Sequence, residues 1–388
     1  MPFLEIFKVF LRLGISSFGG PIAHLGYFRK EFVDRRKWLD GHAYSDLVSL
    51  CQFLPGPASS QVGMALGLMR GGLTGAILAW LGFTLPSAIL LVLFGIELPH
   101  FQASFGSVLH GLRIVTVAVV AQAVWSMGKP LVSSWRKTAL IALSAAISAT
   151  FPSLWTQIAI IALGGMSGLA FLDTPSALPH EPLRNIPGRK TGLVLLSSFF
   201  FLLVALPSIA SISGSYPLLL FDSFYRAGAL VFGGGHVVLP LLQSQVVTSG
   251  WVSNDTFLAG YGAAQAVPGP LFTFSAFLGA VSSGTPSGWV GAGIALVAIF
   301  LPSFLLVSGI LPFWEELRRV EPIQRAMKGI NSAVLGILVS AFYSPVCTSA
   351  IHDGFDLGLA VLSFMMLMKL PSWLVVMSTV SIAALIRI

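Results

Sequence analysis

The sequence predicts an all-α polytopic membrane protein made of two inverted-topology repeats with broken, re-entrant helices. Three observations predict it. The 388 residues are 55% hydrophobic and only 10% charged, where a soluble domain carries about 25% charge. The tripeptide Pro-Gly-Pro interrupts an apolar run twice, at Pro55-Gly56-Pro57 and Pro268-Gly269-Pro270. The loops of the two halves carry opposite patterns of Lys and Arg.

Each element follows from local chemistry. Phe3–Phe18 reads as an apolar helix carrying Glu5, Lys8 and Arg12, stopped by Ser16-Ser17-Phe18-Gly19-Gly20-Pro21. His24 to Asp40 is more polar, with Trp38 near its end. Ala43–Leu54 and Ala58–Met69 read as half-helices meeting at the first Pro-Gly-Pro. Proline lacks an N–H and pushes the preceding residue toward extended backbone, so the helix stops there, and the second Pro suits the start of the next one. The runs 73–95, 107–127, 138–151, 154–172 and 191–212 read as spans, the first with Pro86 inside it. A window of roughly 20 apolar residues crosses a bilayer. Asp173–Lys190, with four Pro, is the longest polar stretch and the linker. No alternating strands of a membrane barrel occur.

The pattern then restarts. Phe10, Arg12, Gly14, Phe18, Gly19 and Gly20 match Phe224, Arg226, Gly228, Phe232, Gly233 and Gly234 at an offset of 214. Trp38 and Gln52 match Trp251 and Gln265 at 213, and Leu85-Pro86-Ser87 matches Leu301-Pro302-Ser303 at 216. Ordered anchors with small indels mark an internal duplication. Residues 1–172 are the first repeat, 173–216 a linker with the span 191–212, and 217–388 the second repeat. The loop 28–41 has five Lys/Arg and its counterpart 241–254 has none. The loop 96–106 has none, and 312–328 has Arg318, Arg319, Arg325 and Lys328. The loop 127–137 has three, and 346–354 has none. Basic loops stay in the cytoplasm, so the halves are read as oppositely oriented. Two broken helices in corresponding places of inverted halves point to a transport site near the midplane.

Several function classes are set aside on composition. Net charge is +7, but the basic residues sit in short loops where topology accounts for them, so nucleic acid is not a partner. Cys51 and Cys347 are too few for a disulfide framework or a cysteine metal cluster. The N-terminal run is read as mature structure, since Lys8 and Arg12 lie inside it and no cleavage site follows. There is no phosphate-binding Gly-Lys-Ser/Thr loop, zinc spacing or nucleophile elbow. The chain is therefore read as no enzyme, with no cofactor.

Phe18-Gly19-Gly20-Pro21-Ile22-Ala23-His24 with Trp38 and Gln52-Phe53-Leu54-Pro55-Gly56-Pro57-Ala58-Ser59-Ser60-Gln61 closely resembles the chromate ion transporter family. Phe232-Gly233-Gly234-Gly235-His236 and Gln265-Ala266-Val267-Pro268-Gly269-Pro270 resemble that family's C-terminal repeat. The resemblance covers the whole chain in the two-repeat form. It implies a multi-pass protein of the cytoplasmic membrane that exports chromate, a tetrahedral oxyanion shaped like sulfate. A sulfate or other oxyanion transporter, or an anion channel, is the alternative. The partners expected are such an oxyanion and membrane lipid, with a homodimer left open. Ser59-Ser60-Gln61 becomes Phe272-Thr273-Phe274 in the second half, so the two halves are not equivalent sites.

The candidate contacts follow from the breaks. Helix starts at Ala58 and Leu271 expose unpaired N–H groups and a partial positive charge, which suits an oxyanion. Ser59, Ser60, Gln61 and Thr273 add side-chain donors, and Pro55, Gly56, Gly269, Gly19, Gly20, Gly233 and Gly234 allow close backbone approach. Gln52 and Gln265 either touch the ligand or satisfy carbonyls freed by the break. Arg12 and Arg226 either neutralise a dianion through a bidentate fork or sit in ion pairs, Asp222–Arg226 and by analogy Glu5–Lys8. Arg113 is read the same way or as snorkelling to the interface. His24, His236 and Asp46 are the groups that could carry a coupling proton.

Overall fold

A computed structural model of the chain describes residues 2–104, 106–132, 134–172, 186–232, 235–317 and 320–386. The described residues are helical and connecting segments, without strands. The first half runs α1 (Pro2–Ser16), α2 (Gly20–Phe28) with a wide-pitch extension Arg29–Arg35, α3 (Gly41–Phe53), α4 (Ala58–Ser104), α5 (Gly106–Leu131), α6 (Trp135–Thr150) and α7 (Leu154–Phe171). The joining helix is α8 (Arg189–Ser213). The second half runs α9 (Tyr216–Ala229), α10 (Val238–Val246), α11 (Asn254–Ala266), α12 (Phe274–Val281), α13 (Gly288–Ile310), the single turn α14 (Trp314–Leu317) and α15 (Glu321–Ala341). The short turn α16 (Thr348–Ala350), α17 (Gly354–Leu367) and α18 (Ser372–Ile386) complete it.

Helix α4 is two helices. Gly71 and Gly72 leave helical geometry, and the chain folds back so that Gly67 lies against Gly75. A Cβ on either would collide with the other's carbonyl. The second half repeats the hairpin between α12 and α13, where Gly279 lies against Gly291. The helix before each Pro-Gly-Pro is short: α3 and α11 have 13 residues each, so at 1.5 Å per residue each reaches about 20 Å, part-way through a ~30 Å hydrocarbon layer. α4 is long enough to cross, as are α5, α8, α13 and α15. Little of the apolar surface of α8 is covered by the rest of the described residues.

The halves exchange partners rather than sitting side by side. α5 packs on α17 and α18, and α15 packs on α6 and α7. The α15–α7 crossing is close because Gly164 and Gly168 face Gly329. The α5–α17 crossing holds a buried pair, His110 Nε2 to Asp356 Oδ1 at 2.7 Å. Asp356 also accepts the His352 backbone N–H at 2.9 Å, so this buried carboxylate is partnered on both oxygens, as its burial demands.

The ends of the halves differ in chemistry. Around the start of α1, Arg36 bonds Glu5 at 2.6 Å and Glu31 at 2.6 Å, and Arg70 lies 3.6 Å from Glu5. The Arg70 guanidinium sits over Trp38. The expected Glu5–Lys8 pair is therefore corrected: Glu5 reaches across to the α4 hairpin and the 29–37 segment. Around the start of α9 the same place is taken by Tyr216, which meets Ser282 and stacks edge-on against Trp251. Arg113 is not a snorkelling residue but pairs with Asp255 of α11 at 2.9 Å.

Candidate functional site

Each Pro-Gly-Pro stops its helix as the chemistry requires. Leu54 (ψ 148°) and Val267 (ψ 147°), each one residue before a Pro, are extended. Gly56 (φ +121°) and Gly269 (φ +99°) then take a left-handed turn that side chains disfavour. A helix restarts at Ala58. In the second half the restart differs from the expectation: Leu271–Thr273 is a tight 3-10 turn, and α12 begins at Phe274. The Thr273 hydroxyl donates to Pro270 O at 2.8 Å, closing that turn on itself.

The two breaks are tied to the opposite halves, reciprocally. The Gly56 N–H donates to Val231 O at 2.6 Å, and the Gly269 N–H donates to Ser17 O at 2.9 Å. Ser17 and Val231 are themselves equivalents, 214 residues apart, at the ends of α1 and α9. The packing partners cross in the same way. A Cβ on Gly56 would overlap Ser303 Oγ of α13, and one on Gly269 would lie 2.7 Å from Ser87 Oγ of α4. Four chain breaks thus meet, and each Pro-Gly-Pro is seated on the other half. Each net hydrogen bond contributes about 1 kcal/mol, and an orphaned buried carbonyl costs ~1–3 kcal/mol.

Side chains extend this link. His24 is buried, with Nε2 3.2 Å from Ser17 O and Nδ1 3.4 Å from Ser59 Oγ. A carbonyl only accepts, so Nε2 carries a hydrogen, and Ser59–His24–Ser17–Gly269 forms one chain across the halves. Gln61 donates to Pro55 O at 2.7 Å, capping a carbonyl that the break frees. Around the breaks several buried polar atoms have no hydrogen-bond partner among the described residues: the hydroxyls of Ser17, Ser60, Thr84 and Ser303, Gln265 Nε2 and Gln61 Oε1. Five of the six can donate hydrogen bonds, a polarity that suits an oxygen-rich anion.

The structure does not gather every predicted residue. Ser59, Ser60, Gln61, Pro55, Gly56, Gly269, Thr273 and His24 converge on the breaks. Gly19 (φ +103°) and Gly20 (φ +78°) form the turn into α2. Gln265 is half-buried at the end of α11, and Gln52 is exposed. Arg226 forms a fork onto buried Asp222, Nε–Oδ1 3.0 Å and Nη2–Oδ2 2.5 Å, so the ion-pair reading describes it. The Arg12 side chain is exposed on α1, with no ion-pair partner among the described residues. Asp46 accepts from the Trp314 indole N–H at 3.1 Å, and His236 meets the Tyr261 hydroxyl at 2.8 Å. Gly233 and Gly234 lie outside the described residues.

The chromate transporter family model matches residues 4–169 and again 218–386. The chain belongs to the chromate transporter family. Two matches in one chain follow the two sets of breaks just described. The chain is 28% identical to the chromate transport protein of Pseudomonas aeruginosa over 358 residues, covering 87% of this chain and 80% of that protein. It is 28% identical to a probable chromate transport protein of Synechococcus elongatus over 381 residues, 96% and 92% of the two chains. An uncharacterized transporter of Bacillus subtilis is 34% identical over 121 residues, only 31% of this chain but 66% of that protein. No solved structure matches. As a member of the chromate transporter family the chain is a multi-pass membrane transport protein and not an enzyme.

Proposed function

We propose that this chromate transporter exports chromate, or a sulfate-like tetrahedral dianion, by rocking two inverted repeats about the four breaks. The reciprocal seating of Gly56 on Val231 and Gly269 on Ser17 carries the reading. Two copies of one motif exchange the same hydrogen bond, the relation expected across a two-fold axis. Contacts at the helix ends support inversion. Arg189 of α8 pairs with Glu316 just beyond α13. A cavity joins Pro187 and Thr191 to Arg70 and Leu73. The end of α13 and the start of the second leg of α4 therefore both lie beside the start of α8, so these packed helices run antiparallel. Residues 1–172 and 217–388 are the two repeats on this reading.

The anion would sit at the Ala58 helix start, where the helix dipole and the Ser59 and Ser60 hydroxyls favour negative charge. Breaking two backbone hydrogen bonds of about 1 kcal/mol each is a small cost for alternation. Such a gap leaves both states populated. Moving one charge through 100 mV is worth ~2.3 kcal/mol, so an uncompensated dianion gains ~4.6 kcal/mol on leaving a negative interior. That sustains roughly a 2,000-fold ratio. The test is purified protein in liposomes with labelled chromate and a potassium–valinomycin potential. Saturable flux toward the positive side should accelerate with the potential. Flux indifferent to potential but driven by a pH gradient would reject electrogenic export and bring His24, His236 and Asp46 forward as proton carriers; ohmic single-channel currents would replace the carrier with a pore.

A further inference from the structure

A cavity of about 690 Å³ lies away from the breaks, between the α6–α7 turn, the end of α10, the start of α11 and the segment after α15. At ~30 Å³ per water it holds on the order of twenty water molecules, enough for an ion with its hydration shell. Its polar lining includes Ser148, Gln157, Gln243, Ser244, Asn254 and Ser349. None of its lining residues is Lys, Arg, His, Asp or Glu. The lining is held in place: Gln243 Nε2 donates to Asn254 Oδ1 at 2.6 Å, and Asn254 Nδ2 donates to Ser349 Oγ at 2.7 Å. Both amides keep a second N–H, and the Ser349 hydroxyl keeps its own hydrogen, so the wall presents donors without charge.

The duplication shows what this wall replaces. Gln243 and Ser244 fall 214 residues after Arg29 and Lys30, the offset that holds through Gly20 and Gly234. Arg29 and Lys30 are exposed in the first half's basic segment. The cavity is also at the far end of α6 from Lys129, Arg136 and Lys137, which basic-loop topology assigns to the cytoplasm. One end of the protein therefore carries basic segments, and the cavity at the other end is lined by neutral hydroxyls and amides. Cationic clefts concentrate anions and hold them through charge-assisted bonds. Neutral donors bind the same anion more weakly.

We propose that this cavity is the outer release site for a tetrahedral oxyanion, which it holds through neutral hydroxyl and amide donors alone and so discharges readily. This rests on the transport reading above and adds the direction of the affinity gradient. The test places a charge in the wall: Gln243→Lys, with Thr248→Lys at an exposed lining position as the variant that leaves the Gln243–Asn254 hydrogen bond intact. The probe is sulfate, applied to either face of vesicles of known orientation while labelled chromate flux is followed. The expected result is inhibition by external sulfate at several-fold lower concentration, slower net export, and an unchanged half-saturating concentration at the inner face. Gln243→Met should shift external inhibition the other way. No shift at the outer face in a folded lysine variant, or equal shifts at both faces, overturns the proposal. Absence of oxyanion flux in the unaltered protein would instead overturn the transport reading itself.

Discussion

Replacing Gly56 with Ala separates the cross-seated breaks from a merely tight turn. The residue sits at φ +121°, where an L side chain costs ~1–3 kcal/mol. Its new Cβ would overlap Ser303 Oγ and lie 2.8 Å from Gln61 Nε2, so the break must move off α13. That movement endangers the 2.6 Å bond to Val231 O, and an orphaned carbonyl there costs another ~1–3 kcal/mol. The total, ~2–6 kcal/mol, is a large part of an ordinary 5–15 kcal/mol stability. Thermal unfolding in detergent and chromate uptake by everted vesicles should both fall. Ser303→Gly should then restore the part due to overlap, but not the part due to φ. Gly269→Ala, facing Ser87 Oγ at 2.7 Å, should be milder and rescued by Ser87→Gly. Gly26→Ala, inside α2 with no atom near its added carbon, should not destabilise and should gain about 0.5–1 kcal/mol of helix propensity. The reasoning is refuted if Ser87→Gly rescues Gly56→Ala as well as Ser303→Gly does, or if neither glycine substitution alters unfolding.

Removing both hydroxyls with Ser59→Ala and Ser60→Ala should weaken chromate uptake by ~1–3 kcal/mol at normal protein levels; unchanged affinity removes them from the site. Arg12→Lys should retain uptake, since its exposed guanidinium grips nothing described, whereas full loss would restore it as a bidentate anion ligand. Arg226→Leu strands Asp222, which is 3% exposed, and should cost ~3–5 kcal/mol, read as lost expression. Asp40 caps α3 by accepting from Ala43 N and His42 N; these bonds, Ala43's first, hold its carboxyl below the usual range. A depressed carboxyl contributes fully above its unfolded pKa of about 3.9 and loses that contribution as pH falls through the folded value. Asp40→Ala should therefore lower stability by about 1 kcal/mol at neutral pH and by progressively less below pH 4, as unfolding at several pH values would show.

The breaks were legible because proline and glycine leave few alternatives: Leu54 and Val267 are extended where the following proline demands it. The duplication was legible from anchors in fixed order. What each break rests on was not, because the acceptors are the backbone carbonyls of Ser17 and Val231, and a carbonyl has no residue signature. Ser87 and Ser303 were visible as matching anchors, yet only the fold brings each beside the other half's glycine. His110 and Asp356 are 246 residues apart, beyond any helical spacing argument. Arg12 and Arg226 look alike in sequence and differ in structure, because Asp222 stands one turn before Arg226, whereas Lys8 stands one turn before Arg12. The Thr273 hydroxyl looked like a ligand donor, but a 3-10 start brings Pro270 O within its reach.

The division between backbone and side chains bears on how the protein would work. The bonds that seat each Pro-Gly-Pro break on the other half come from backbone groups at Gly56, Gly269, Ser17 and Val231, which a duplication preserves whatever the side chains become. On the inverted-repeat reading, exchanging the conformations of the halves exchanges equivalent bonds, and the scaffold energy of the two states stays nearly matched. The side chains break that balance. His24 and Ser59 extend only one of the two links, and Ser59-Ser60-Gln61 faces Phe272-Thr273-Phe274 across the pseudo-symmetry. An anion bound at the serine-bearing break, as proposed, would have a differential affinity for the two states, and only such a difference can shift a conformational equilibrium. A symmetric scaffold with an asymmetric lining thus gives low resistance to switching together with a ligand-dependent bias, the two properties a carrier requires.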